Sequence, residues 1–149
     1  VKVYSDEPAC SIERSLTVLG ERWTLLILRE CFAGVARFAD FRARLGIAPN
    51  LLSARLATLV EAGVVETRPY QEDGSRTRDG YHLTEAGKEL KLVLAALQQW
   101  GDEFMPRPSG SSALRRSVAD DRPVRVAFVD DRDEVVARHD TRFVGHSEF

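Results

Sequence analysis

A mainly α-helical, α+β domain is what this chain of 149 residues predicts, and three observations carry the prediction. Gly20, Gly34, Gly46 and Gly63 each follow an apolar-periodic stretch, the position where helices stop. Past Gly63 the apolar period drops from that of a helix to that of a strand. A segment of proline, glycine and serine, Pro106 to Ser112, then sets off a short β-rich tail.

The elements follow in order. Ile12, Leu16 and Leu19 fall on one face of a first helix. The second, about Arg22 to Phe32, is apolar almost all round, as a helix in the middle of a core is. The third, about Ala39 to Arg44, turns Phe38, Phe41 and Leu45 inward and Arg42 and Arg44 outward. The fourth begins at Pro49, a residue suited to the first helical position, and runs to about Ala62 with Leu52, Leu56 and Leu59 on one face. Val64 to Tyr70 and Tyr81 to Leu83 read as strands, with a polar hairpin loop over Gln71 to Gly80. Thr84 can cap a long last helix with the stripe Leu90, Leu94, Leu97 and Trp100, running to about Met105. In the tail, Val124 to Val129 alternates, Asp130 to Glu134 is a charged turn, and Val135-Val136 starts a second strand. The expected organisation is an arm over 1–9, a domain over 10–105, a linker over 106–117 and a β-hairpin extension over 118–149. A lone hairpin is marginal in water, so the extension is expected to dock on the protein itself.

Composition narrows the function. Apolar residues are 44% and charged residues 30%, the range of a globular protein and not of a disordered one. No run approaches the ~20 apolar residues of a membrane span, and no signal peptide is visible, although the chain starts at Val1 without a methionine. Two cysteines make no disulfide framework, so a reducing cytoplasm is the expected location. The net charge of −2 argues against indiscriminate binding of polyanions. The sum hides a local imbalance: Arg37, Arg42, Arg44 and Arg55 face one acid, Asp40, between Arg37 and Val60.

Three helices, a fourth after a tight turn, a hairpin and a long last helix make a winged helix-turn-helix, here with a dimerising terminal helix. With the leucines of the fourth helix inward, Asn50, Ala54, Ala57 and Glu61 face outward, flanked by Ser53 and Thr58. Asn can grip adenine, Ser any base, and Ala a thymine methyl. Arg55 lies at the rim, within reach of a phosphate, and Arg76 and Arg78 of the hairpin are further candidates, though Glu72, Asp73 and Asp79 offset them. Arg37 and Arg42 complete the candidate DNA-binding set with Asn50, Ser53, Ala54, Arg55 and Ala57. Winged helices also serve as protein-interaction modules, and that reading stays open.

Five motifs then carry a family resemblance. They are Cys-x-x-Glu-Arg from Cys10, Gly-x-Arg-Trp-Thr-Leu-Leu-Ile-Leu-Arg from Gly20, Leu-Ser-x-Arg-Leu from Leu52, Gly-Val-Val-Glu from Gly63 and Leu-Thr-x-x-Gly from Leu83. With Arg37-Phe38 they resemble the HxlR-type winged-helix transcriptional regulators of bacteria over Cys10 to Phe104. The resemblance implies a homodimer on partly palindromic double-stranded DNA, with the fourth helix in the major groove. It implies that the first and last helices form much of the dimer interface, which places Ile12, Leu16, Leu90, Leu94, Leu97 and Trp100 there. The chain departs from its relatives at Ala39 and Ala48, where many carry polar caps, and at Asp79-Gly80, poor strand residues that predict a longer, looser wing.

Several regulators that this sequence resembles use a cysteine at the position of Cys10 to sense electrophiles or oxidants, so Cys10 is a candidate redox sensor. A helix start and Arg14 favour its thiolate, whereas Asp6, Glu7 and Glu13 oppose it. Cys31 reads as core. Catalysis finds no support: His82, His139 and His146 have no metal-ligand spacing, and Asp130, Asp131 and Asp133 lack the glycine and closing glutamate of a calcium loop. No enzyme activity, metal or cofactor is expected, and any small-molecule effector goes unnamed.

Overall fold

A computed structural model of the chain describes residues 10–111 and 113–144. The expected arm lies outside them. The described residues form α1 (Ser11–Leu19), α2 (Arg22–Phe32), α3 (Phe38–Leu45), α4 (Pro49–Glu61), β1 (Val65–Tyr70), β2 (Arg78–Leu83), α5 (Glu85–Glu89), α6 (Lys91–Phe104), β3 (Phe128–Val129) and β4 (Val135–Val136), with a 3-10 turn over Arg138–Asp140. The fold is mixed α+β, helices with a small antiparallel hairpin. Two compact units divide after Leu94, so α6 runs from the first into the second.

The core of the first unit is Ile27 and Leu28 of α2, Phe41 of α3, Ile47 of the turn, Leu52, Leu56 and Leu59 of α4, and Val65 of β1. Each buried Leu, Ile or Phe contributes about 1.5–3 kcal/mol, so the spacing of the three α4 leucines sets which face of that helix is left outside. Between α3 and α4 the chain turns in three residues. Gly46 makes this possible with φ +64°, and its N–H closes α3 on the Arg42 carbonyl at 2.9 Å. Ile47 plugs the turn into the core, and Pro49 opens α4. No side chain caps α3 or α4, whose cap positions are Arg37 and Ala48. Packing of Phe41 and the leucines holds these starts instead.

The wing differs from expectation. Its ladder is in register from Val65 opposite Leu83 to Tyr70 opposite Arg78, so Asp79 and Gly80 are paired strand residues and the loop shortens to 71–77. The reason is a third partner: Arg37 bridges Gly80, and the Tyr81 N–H donates to the Ala36 carbonyl at 2.8 Å. The segment before α3 thus pairs with β2, which sequence periodicity does not reveal.

Thr84 closes the wing and opens α5. Its hydroxyl accepts from the Gly87 N–H at 3.1 Å and donates to the Gly63 carbonyl at 2.6 Å. Gly87 is buried there, and the position takes glycine because a Cβ would stand 2.1 Å from the Val64 carbonyl oxygen. The expected single last helix is broken at Leu90, whose N–H bonds to the Gly87 carbonyl at 3.2 Å. Leu90 and Leu94 pack against the core from this turn.

In the second unit the tail is pinned to α6. Gln99 accepts from the Val126 N–H at 2.9 Å and donates to the Val126 carbonyl at 3.0 Å. Gln98 donates to the Ala113 carbonyl at 2.8 Å, and Asp102 accepts from the Ser111 hydroxyl at 2.8 Å. The first tail strand is only Phe128–Val129, shorter than the alternation from Val124 suggested, and it pairs antiparallel with Val135–Val136. The Asp130 carboxylate takes the Arg132 and Glu134 amides at 2.9 and 3.0 Å, which makes the acidic run a turn device. No described helix is long and apolar enough to cross a membrane.

Candidate nucleic-acid interface

The outward face of α4 is built by its inward face. With Leu52, Leu56 and Leu59 sealed in the core, Asn50, Ser53, Ala54, Ala57 and Glu61 are all exposed. Thr58 is half-buried and returns its hydroxyl to the Ala54 carbonyl at 3.1 Å. Such a surface is slim near its N-terminus, where small side chains leave the Asn50 amide as the longest polar reach, and acidic at Glu61.

The arginines divide into two groups. Arg37 pairs with Glu72 of the wing loop and lies 5.2 Å over the Tyr70 ring, so it braces the wing against the start of α3. Arg44 donates to Glu30 at 2.5 Å. Arg55 is 26% exposed, and its guanidinium stands 3.3 Å from Glu21. These three of the four expected cations are spent within the protein. Arg42 of α3 and Arg76 and Arg78 of the wing are exposed and make no ion pair among the described residues. The wing acids expected to offset Arg76 and Arg78 do not pair with them; Glu72 is taken by Arg37.

Glu30 is the residue that sequence reading missed. It is 4% exposed on a helix read as apolar, and it holds two arginines, Arg29 at 2.6 and 3.0 Å and Arg44. Burial alone raises its pKa, but the hydrogen bonds and charges of Arg44 and Arg29 outweigh that and hold it below the usual carboxylate range. The pair ties α3 to α2. The one legible signal was a lone acid inside an apolar helix, which burial makes costly unless paired.

Cys10 is exposed at the N-cap of α1. Cys31 is half-buried, and burial pushes its thiol up to about 12. Of the residues expected at a dimer interface, Ile12 and Leu16 of α1 are 62% and 56% exposed, and Leu97 and Trp100 of α6 are 49% and 56% exposed. Leu90 and Leu94 are half-buried on the chain's own core, while Leu92 and Val93, not expected there, are exposed. Among the described residues no three His, Cys, Asp or Glu gather as metal ligands.

A turn of three residues joins α3 to α4, a paired wing follows, and the model of the HxlR-like helix-turn-helix family matches residues 18–109. The chain belongs to that family. An HTH-type transcriptional regulator of Mycobacterium tuberculosis, Rv3095, is 51% identical over 100 residues, covering 67% of this chain and 62% of that protein. The chain therefore spans about three fifths of the length of the mycobacterial relatives it matches. Among solved structures, the transcription-factor structure PA1607 is 35% identical with a TM-score of 0.79 and covers 93% of this chain and 96% of its own. That coverage takes in the second unit of this HxlR-like chain. The reduced form of the transcriptional regulator YodB from Bacillus subtilis is 30% identical with a TM-score of 0.55, over 65% of this chain and 95% of its own. These relatives of the HxlR-like chain are transcription regulators.

Proposed function

We propose that this chain is a sequence-specific DNA-binding transcription regulator that acts as a homodimer on a partly palindromic operator. The observation that carries the reading is the α4 face, with Asn50, Ser53, Ala54 and Ala57 exposed on a helix locked by three leucines. A helix of this kind fits the major groove, with Asn50 toward adenine and the alanines toward thymine methyls. Arg42, Arg76 and Arg78 supply phosphate contacts, since no acid occupies them among the described residues. Arg55 reaches a phosphate only by releasing Glu21, so its share is smaller than that of Arg42. Membership of a helix-turn-helix family whose relatives are transcription regulators supports the same reading.

The test is a titration of the DNA upstream of the chain's own gene at two salt concentrations. Affinity falls steeply with salt. Asn50→Ala costs about 1–3 kcal/mol of discrimination at one base pair. Arg42→Ala weakens all sequences alike and lowers the salt slope by about one. A wild-type protein with no salt-dependent DNA binding would instead favour a winged-helix interaction module.

A second reading adds redox control through Cys10. It is favoured by exposure of Cys10, by the high pKa that burial gives Cys31, and by the redox regulator HypR, 26% identical with a TM-score of 0.58 over 64% of this chain and 94% of its own. Oxidant then shifts operator affinity in wild type and not in Cys10→Ser. An equal response of both proteins removes Cys10 from any switch.

A further inference from the structure

The second unit contains a cleft of about 710 Å³ between the C-terminal half of α6 and the β3–β4 tail. The size matches the roughly 300–1,000 Å³ of sites that take small organic molecules. Its walls are apolar and aromatic. Trp100 and Phe104 meet with ring centroids 5.7 Å apart, and Phe128 and Val135 stand on the tail side. All four remain half-exposed or more, a cost that an apolar occupant would remove.

The polar groups of the cleft are not equally available. Gln99 spends its amide on both backbone groups of Val126, which fixes the wall and leaves little for a ligand. Arg138 faces Glu103 at 4.0 Å, and His139 faces Asp140 at 3.5 Å. Arg125 lines the cleft, is exposed, and makes no ion pair or hydrogen bond among the described residues. The cleft thus offers an aromatic body site with Arg125 uncommitted on its lining.

The geometry points to a binding site for a small organic anion: an apolar, aromatic body between Trp100, Phe104 and Phe128, with its carboxylate or sulfonate on Arg125. A guanidinium grips such a group through two parallel N–H donors. The cleft uses none of the residues assigned to DNA, although Trp100 is also an expected dimer-interface residue, so dye binding and DNA titration test the two readings separately.

The test uses two naphthalene dyes of similar body on the full chain. 8-Anilinonaphthalene-1-sulfonate carries the anion, and N-phenyl-1-naphthylamine does not. Wild type binds one sulfonate dye per chain. Arg125→Gln weakens the sulfonate about tenfold and leaves the neutral dye within about twofold. Ala96→Trp, at an exposed residue of α6 that lines the cleft, crowds the aromatic wall and weakens both dyes. The proposal is overturned if several dyes bind per chain or if Arg125→Gln changes nothing. It is also overturned if dye binding rises as the protein is diluted below its assembly concentration, which assigns the cleft to a second copy of the chain.

Discussion

Glu30 sits near the end of α2 with both carboxylate oxygens taken by arginines that are themselves more than half exposed. Removing the charge while keeping the shape isolates its role. Glu30→Gln is expected to cost about 1.5–3 kcal/mol at neutral pH, the worth of hydrogen bonds to a charged group. The pH dependence has a sign. Because the arginines lower the folded pKa, the contribution is complete above the unfolded value of about 4.3 and is lost as pH falls through the folded one. Denaturant unfolding of both proteins should therefore show a gap that closes toward acid. A gap independent of pH would assign Glu30 to shape alone. Gly87 is the other residue with a defined physical duty, since any Cβ meets the Val64 carbonyl and the Thr84 cap would have to move.

At the scale of elements, α6 stands out because its two ends do different work. Leu94 in its first turn packs against the core of the first unit, beside Leu90 of the preceding turn, and Gln98, Gln99 and Asp102 hold the tail. Leu92, Val93 and Leu97 are left outside. Water-facing leucines along a helix gain about 25 cal/mol for each Å² covered, before association costs are met. Leu92→Glu and Leu97→Glu, made singly, are each expected to turn a solution dimer into a monomer at micromolar concentration without loss of helix content. Light scattering with circular dichroism checks this. Dimers that persist in both variants would move the interface elsewhere.

On the scale of the whole molecule, the chain is two compact units that share α6. The second has little regular structure: its strands are two residues each, and its order depends on a few hydrogen bonds to α6. Gln99→Ala removes both bonds to Val126. It should lower the local opening free energy of the tail by about 1–3 kcal/mol, since each hydrogen bond is worth about 0.5–1.5. Hydrogen exchange would then speed up at Val126 and its neighbours and stay unchanged at Leu52, Leu56 and Leu59. Equal acceleration in α4 would mean that the tail supports the first unit as well.

The sequence by itself determined α1 to α4, the turn at Gly46 and the outward face of α4. These follow from local rules, because the 3.6-residue period of Leu52, Leu56 and Leu59 sorts core from surface without knowledge of any neighbour. The cap at Thr84 was legible for the same reason. Tertiary structure alone decided which charges remain available. Four arginines counted as a basic patch, yet Arg37, Arg44 and Arg55 have acidic partners that are distant in sequence, and only contact reveals that. It also decided that Asp79 and Gly80 are strand residues, because the Ala36–Arg37 segment supplies pairing that outweighs their poor propensity. It set the break at Leu90, where two leucines turn onto the core. And it made the cleft beside Trp100, whose walls come from segments more than twenty residues apart and so leave no period or spacing to read.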